Sequence, residues 1–125
     1  MIMSAALKIA VVEDDAGVRT ALQQLLRSAG FDAETFESAE EFLAQGERET
    51  FACLIADINL PGISGVELVK TLGGNGRGLP AVLITGRRDA ATIALTRQAG
   101  DVPQLYKPFS DAALFEVLDR VMRQQ

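Results

Sequence analysis

Histidine and tryptophan are absent from this chain of 125 residues, and cysteine and tyrosine occur once each. Without histidine there is no Ser-His-Asp triad, and without a cysteine cluster the usual zinc sites are excluded as well. Cys53 has no intrachain partner for a disulfide. It lies inside an apolar run, where it reads as a small buried core residue of a cytosolic protein. Long apolar stretches are missing too: none approaches the roughly 18 residues of a membrane span. The first ten residues include Lys8 and show no h-region followed by a cleavage site, so no signal peptide is expected. Basic residues are in the minority, 12 Lys and Arg against 17 Asp and Glu, for a net charge of −5. That balance argues against a nucleic-acid-binding surface spread over the chain. What is present is 48% hydrophobic and 23% charged residues, ordinary for a globular protein. The length suits one domain with one core, residues 1–125.

Along the chain, apolar runs and helical stripes alternate. Leu7 to Val12 is a buried strand running into Glu13, Asp14 and Asp15. A helix follows with Val18, Ala21, Leu22, Leu25, Leu26 and Ala29 on one face at a 3.6 period, ended by Gly30 as a left-handed cap. Phe31 to Phe36 alternates apolar and polar, as a strand with one wet face or at an edge does. Ser38 and Glu41 form a capping box for a short helix stopping at Gly46. Phe51 to Ala56 is an uninterrupted apolar strand that ends on Asp57; Ser64 and Glu67 cap the next helix, with Leu68, Val69 and Leu72 inward. The Gly-rich stretch 73–78 is a loop, and Pro80 to Thr85 is another apolar strand. Asp89 caps a fourth helix closing at Gly100, Val102 to Tyr106 is a fifth strand, and Ser110 opens a last helix striped with Leu114, Val117, Leu118 and Val121. Five strands alternating with five helices predict a parallel sheet covered on both faces. The alternating second strand and Pro103 in the fifth put those two at the edges. The order 2-1-3-4-5 of the flavodoxin-like, doubly wound α/β fold satisfies this.

In such a sheet every strand points its carboxyl end at one rim. Those ends carry Glu13 and Asp14, then Asp57, then Thr85, with Lys107 just past the fifth strand. Singly, each has an ordinary explanation: acid pairs cap helices, threonine favours strands, and a lone lysine is a solvated charge. Their convergence on one crevice points to chemistry. Carboxylates so gathered repel, by roughly 4 kcal/mol for a pair 4 Å apart at an effective dielectric near 20. A hard divalent cation relieves that repulsion, and all-oxygen ligation with few protein ligands suits Mg²⁺. Asp57 is then a candidate nucleophile for a phosphoryl group, with Thr85 and Lys107 as donors to its oxygens. Spacing alone does not choose between Glu13/Asp14 and Asp14/Asp15 as the acid pair.

Val12-Glu13-Asp14-Asp15, the run Ile55 to Gly65, Ile84-Thr85-Gly86 and Tyr106-Lys107-Pro108-Phe109 together resemble the receiver domain of bacterial two-component response regulators. The likeness covers about residues 7–122. It implies Asp57 as phosphoacceptor. It further implies Mg²⁺ held by the carboxylates of Glu13, Asp14 and Asp57 and by the backbone carbonyl of Asn59. Thr85 and Lys107 would engage the phosphoryl group, and Asn59 and Arg87 would flank the water that hydrolyses it. It implies a sensor histidine kinase or histidine phosphotransfer protein as the phosphoryl donor, in the cytoplasm. The face made by the fourth helix, fifth strand and last helix would serve partner binding, homodimerisation or output control. Such a domain is a signalling phosphoacceptor in a phosphorelay rather than an enzyme, although it assists its own phosphorylation and dephosphorylation. One position departs from the pattern: the aromatic usual three residues before the lysine is Gln104, which is expected to stay near solvent.

Other readings fit less of the chain. A Mg²⁺-dependent aspartyl-phosphate phosphatase needs an Asp-x-Asp pair on one strand and a capping insertion, whereas Asp57 is followed at the second position by Asn59. A flavin- or nucleotide-binding domain needs a Gly- or Ser/Thr-rich loop after the first strand, where this chain is acidic. A degenerate pseudo-receiver acting as an interaction module is the second reading: the intact rim argues against it and Gln104 supports it. Neither the cognate kinase nor the output is legible, and the chain is either a stand-alone receiver or part of a longer regulator with a DNA-binding output domain.

Overall fold

The computed structural model describes residues 6–45, 50–73 and 78–123. Within them five strands alternate with five α-helices: β1 (Lys8–Val12), α1 (Ala16–Ser28), β2 (Asp32–Phe36), α2 (Ala39–Gln45), β3 (Cys53–Asp57), α3 (Gly65–Thr71), β4 (Ala81–Thr85), α4 (Ala90–Gln98), β5 (Gln104–Tyr106) and α5 (Asp111–Arg123). All strand pairs are parallel, in the order β2-β1-β3-β4-β5, as the two edge signals predict.

The period of two along each central strand divides the core into two layers. Ile9, Val11, Cys53, Ile55, Val82 and Ile84 face α1 and α5, meeting Leu22, Leu26, Leu114, Leu118 and Val121. Ala10, Val12, Leu54, Ala56 and Leu83 face the other way, toward Phe42, Val66, Leu68 and Val69 of α2 and α3. Leu95 and Ala99 close that layer from the α4 side. Burying a large apolar side chain of this kind contributes roughly 1.5–3 kcal/mol. Phe36, Phe42 and Phe51 cluster in the second layer with ring centroids 5.1 to 6.2 Å apart.

Several local expectations shift. In α1 Leu22 and Leu26 are fully buried, with Val18 and Leu25 partly buried beside them. Ala21 is exposed because it lies about 100° around the helix from Leu22, and exposed Ala29 is the C-cap, beyond the last helical turn. Gly30 follows with φ +94°, the left-handed conformation expected of it. Glu41 donates its backbone N–H to Ser38 Oγ, but its carboxylate accepts from Glu37 N, one residue before the cap. The box at Ser64 and Glu67 is fully reciprocal. β5 starts at Gln104 rather than Val102, and Pro103 serves as an acceptor, its carbonyl taking the Leu83 N–H at 2.9 Å. The end of α2 at Gly46 and loop residues 74–77 lie outside the described residues.

One glycine lets β3 and the next helix meet closely. A Cβ on Gly65 would lie 2.3 Å from the Asp57 carbonyl oxygen and 3.1 Å from Ile58 Cα. Both are backbone atoms, so no side-chain rotation relieves the clash. Gly65→Ala is expected to cost about 1–3 kcal/mol, in the range of overpacked core sites, read as a lower urea midpoint. An unchanged midpoint would mean that α3 backs away from β3 without cost.

Candidate functional site

Register decides which side chains meet at the rim. Val12 pairs with Ala56, so Glu13 and Asp57 leave the sheet level with one another. Asp57 pairs with Ile84, which puts Thr85 one step further on the neighbouring strand. Thr85 pairs with Tyr106, so Lys107 follows at the sheet edge. Residues spread from 13 to 107 therefore share one crevice.

Lys107 is its electrostatic centre. Its Nζ donates to Glu13 Oε1 at 2.6 Å and lies 3.5 Å from Asp57 Oδ2. Glu13 is fully buried, and its Oε2 accepts from the Asp15 N–H at 3.2 Å. Burial pushes the Glu13 carboxyl up to about 7, because the lysine hydrogen bond only partly offsets desolvation and the Asp57 charge adds to it. Burial pulls the Lys107 ammonium down. The Glu13 hydrogen bond and the charges of Asp57 and Glu13 outweigh that and leave it above its ordinary value. The ammonium is thus retained at neutral pH. Asp57 is nearly buried, with Oδ1 accepting from the Asn59 N–H at 3.1 Å.

The acid pair left open by spacing is separated by geometry. Asp15 is the N-cap of α1, its Oδ1 accepting from Val18 N at 2.9 Å. Asp14 is exposed at the crevice mouth. Oxygens of Glu13, Asp14 and Asp57 all lie within 4.8 Å of one another. A gathering of hard oxygen donors with one ammonium beside it fits a hard divalent cation such as Mg²⁺.

The other half of the site was not readable from the motifs. Thr85 is fully buried and donates its hydroxyl to Asn59 Oδ1 at 2.6 Å, while accepting from Arg87 N at 3.0 Å. Asn59 Nδ2 in turn donates to Thr92 Oγ1 at 3.0 Å. Thr92 is buried in the first turn of α4. Its backbone N–H donates to Asp89 Oδ1 at 3.0 Å, and the Thr92 and Arg87 neighbours hold that carboxyl down to about 2. Arg87 pairs with Asp89. Sequence reading gave Asn59 its backbone carbonyl at the metal and its side chain beside the hydrolytic water, with no bond to α4. A side-chain bond to a residue 33 positions away has no local signature; only Asp89 as the cap of α4 was legible.

Gln104 departs from expectation. It is half-buried rather than near solvent, and its Nε2 donates to the Thr96 carbonyl at 3.1 Å. The alternation of β5 explains this: Leu105 joins the α1 and α5 layer, so Gln104 and Tyr106 turn to the α4 side. There the Arg88 guanidinium sits over the Tyr106 ring, 4.0 Å from its centroid.

A doubly wound sheet whose carboxyl rim gathers three carboxylates, a threonine and one lysine is the arrangement of receiver domains. The chain belongs to that family: residues 9–119 match the response regulator receiver domain. Among relatives, the transcriptional regulatory protein FixJ of Bradyrhizobium diazoefficiens is 34% identical over 116 residues, 93% of this chain and 57% of FixJ. The response regulator StyR is similar in structure with a TM-score of 0.81 and 39% identity, over 95% of this chain and 60% of StyR. Chemotaxis protein CheY4 of Vibrio cholerae gives 0.78 and 28%, over 94% and 99%. The chain spans about half the length of the curated relatives it matches. Among the described residues no helix is long and apolar enough to cross a membrane.

Like charges at the rim predict a stability effect. Asp14→Asn removes one of three neighbouring carboxylates and is expected to raise the melting temperature in EDTA by roughly 2–5 °C. Equal melting temperatures for the two proteins would remove the repulsion argument.

Proposed function

We propose that residues 1–125 form a single receiver domain that takes a phosphoryl group onto Asp57 from a sensor histidine kinase or histidine phosphotransfer protein. The observation that carries this reading is the placement of Asp57 at the end of β3, 3.5 Å from Lys107 Nζ and grouped with Glu13 and Asp14. In the transfer, an Asp57 carboxylate oxygen bonds to phosphorus as the bond from phosphorus to the donor's imidazole nitrogen breaks. The imidazole leaves and the aspartate becomes an acyl phosphate. Glu13, Asp14 and Asp57 would hold Mg²⁺ by their carboxylates, and Asn59 by its backbone carbonyl. Bound there, the ion supplies positive charge to the phosphoryl oxygens.

This chain's own residues do the rest. The Asn59 N–H orients the Asp57 carboxylate through Oδ1. Lys107, already charged, transfers its hydrogen bond from Glu13 to the arriving phosphoryl oxygens, and Thr85 supplies a hydroxyl. Each Asp57 accepts one phosphoryl group, so the domain is a signalling phosphoacceptor and not a turnover enzyme. An apolar groove of about 380 Å³, lined by Val18, Leu22, Leu25, Pro108 and Phe109, opens beside Lys107. It gives a donor protein somewhere to rest while its phosphohistidine reaches Asp57. The face formed by α4, β5 and α5 is the surface we assign to dimerisation or output control, in the cytoplasm.

Incubation with acetyl phosphate and Mg²⁺ is expected to add one phosphoryl mass to the wild type, labile to hydroxylamine as an acyl phosphate is. Asp57→Ala should add none, and EDTA should suppress the reaction. A wild type that stays unmodified with Mg²⁺ present contradicts the reading.

A further inference from the structure

A hydroxyl has one proton to donate. The Thr85 proton is already engaged, directed to Asn59 Oδ1 at 2.6 Å. If Thr85 is to donate to a phosphoryl oxygen on Asp57, that bond must break. Asn59 is not free to follow, because its Nδ2 is committed to Thr92 Oγ1 at 3.0 Å. Thr92 is itself fixed: it is 1% exposed, and its N–H donates to Asp89 Oδ1 at 3.0 Å. Thr85, Asn59 and Thr92 thus form one hydrogen-bonded series, anchored to Asp89 through the Thr92 N–H, and each bond in such a series strengthens its neighbours.

We propose that Asp89, Thr92 and Asn59 form a latch that withholds the Thr85 hydroxyl from the phosphorylation site and joins it to the first turn of α4. Thr92 and Asn59 are positioning residues acting through Thr85. Phosphoryl binding and release of the α4 first turn then become one event, because a single proton cannot serve both acceptors. The latch also has somewhere to open. A cavity of about 340 Å³ lined by Asn59, Ser64, Glu67, Arg87 and Thr92 can receive the Asn59 amide when Thr85 turns away. Coupling is reciprocal: whatever holds α4 in the latched position weakens phosphoryl binding by the same factor.

The inference rests on phosphoryl binding at Asp57, and the test separates the two. Beryllofluoride with Mg²⁺, a stable mimic of the phosphoryl group, is titrated into the protein by calorimetry. Thr92 is the residue to change, since it has no direct part in the proposed phosphoryl contacts. Thr92→Val deletes the hydroxyl and is expected to tighten beryllofluoride binding roughly fivefold, the net effect of one hydrogen bond. Thr92→Ala should tighten it likewise if the valine variant folds poorly, and Thr92→Ser should restore the wild-type affinity. In a Thr85→Ala background the Thr92→Val shift should vanish, because no hydroxyl remains to be released. A wild-type affinity in both hydroxyl-deleted variants overturns the latch, as does a shift that persists without the Thr85 hydroxyl. Absence of any binding by the wild type overturns the Asp57 reading itself, and the latch with it.

Discussion

The structure depends on an excess of negative charge held at one end of a parallel sheet. Glu13 is buried outright, Asp57 nearly so, and Asp14 stands within 4.8 Å of them by its oxygens. One ammonium, that of Lys107, is set against all three. Burying an acid without a counter-charge is costly, and Glu13 shows the strain of the arrangement, its carboxyl pushed up to about 7 even with Lys107 at 2.6 Å. A core built for stability alone would place apolar residues here. Instead the register of β1, β3, β4 and β5 aligns every charged strand end, and Gly65 lets α3 close against the Asp57 backbone. The site is stable enough to fold while its carboxylates outnumber the ammonium set against them.

The two faces of the sheet meet this rim differently. The α1 and α5 layer is a continuous apolar contact, which supports the sheet without offering an alternative arrangement. On the other side Leu95 gives α4 one partly buried apolar contact, and α4 and the loop before it otherwise meet the chain through polar and stacked contacts. These are Thr92 with Asn59, Gln104 with the Thr96 carbonyl, and Arg88 over Tyr106. Such contacts can be exchanged one for another, whereas a packed apolar seam resists small shifts. Among the described residues of α4 only Thr92 is fully buried, with Leu95 partly buried against the core, so polar bonds carry much of the helix's attachment. Gln104 is therefore part of the attachment of α4 and not an empty position left by a missing aromatic.

How much of this was legible in the sequence follows from what kind of signal each feature leaves. Strand and helix periods, the Ser64 and Asp89 caps and the edge position forced by Pro103 are local patterns, and they appear where the residues predict them apart from the ends of the α1 stripe and the later start of β5. Strand order was recoverable because buried and half-buried strands differ in composition. The convergence of Glu13, Asp57, Thr85 and Lys107 was legible because parallel strands share a rim. The choice of Asp15 as a cap was not, since three consecutive acids look alike until the helix start is fixed to one residue. Nor were the Asn59 and Gln104 side-chain bonds, which depend on how α4 lies against the sheet. Both are amides whose partners come from another element, and no spacing rule encodes such a contact.

The charge account is tested most directly by thermal unfolding of the wild type and Asp57→Asn across a Mg²⁺ series. If the crevice holds surplus carboxylate that the ion relieves, the wild-type melting temperature climbs steadily with the logarithm of Mg²⁺ concentration. Asp57→Asn should start higher without metal and climb much less. A wild-type melting temperature indifferent to Mg²⁺, or the same climb in both proteins, would contradict the account.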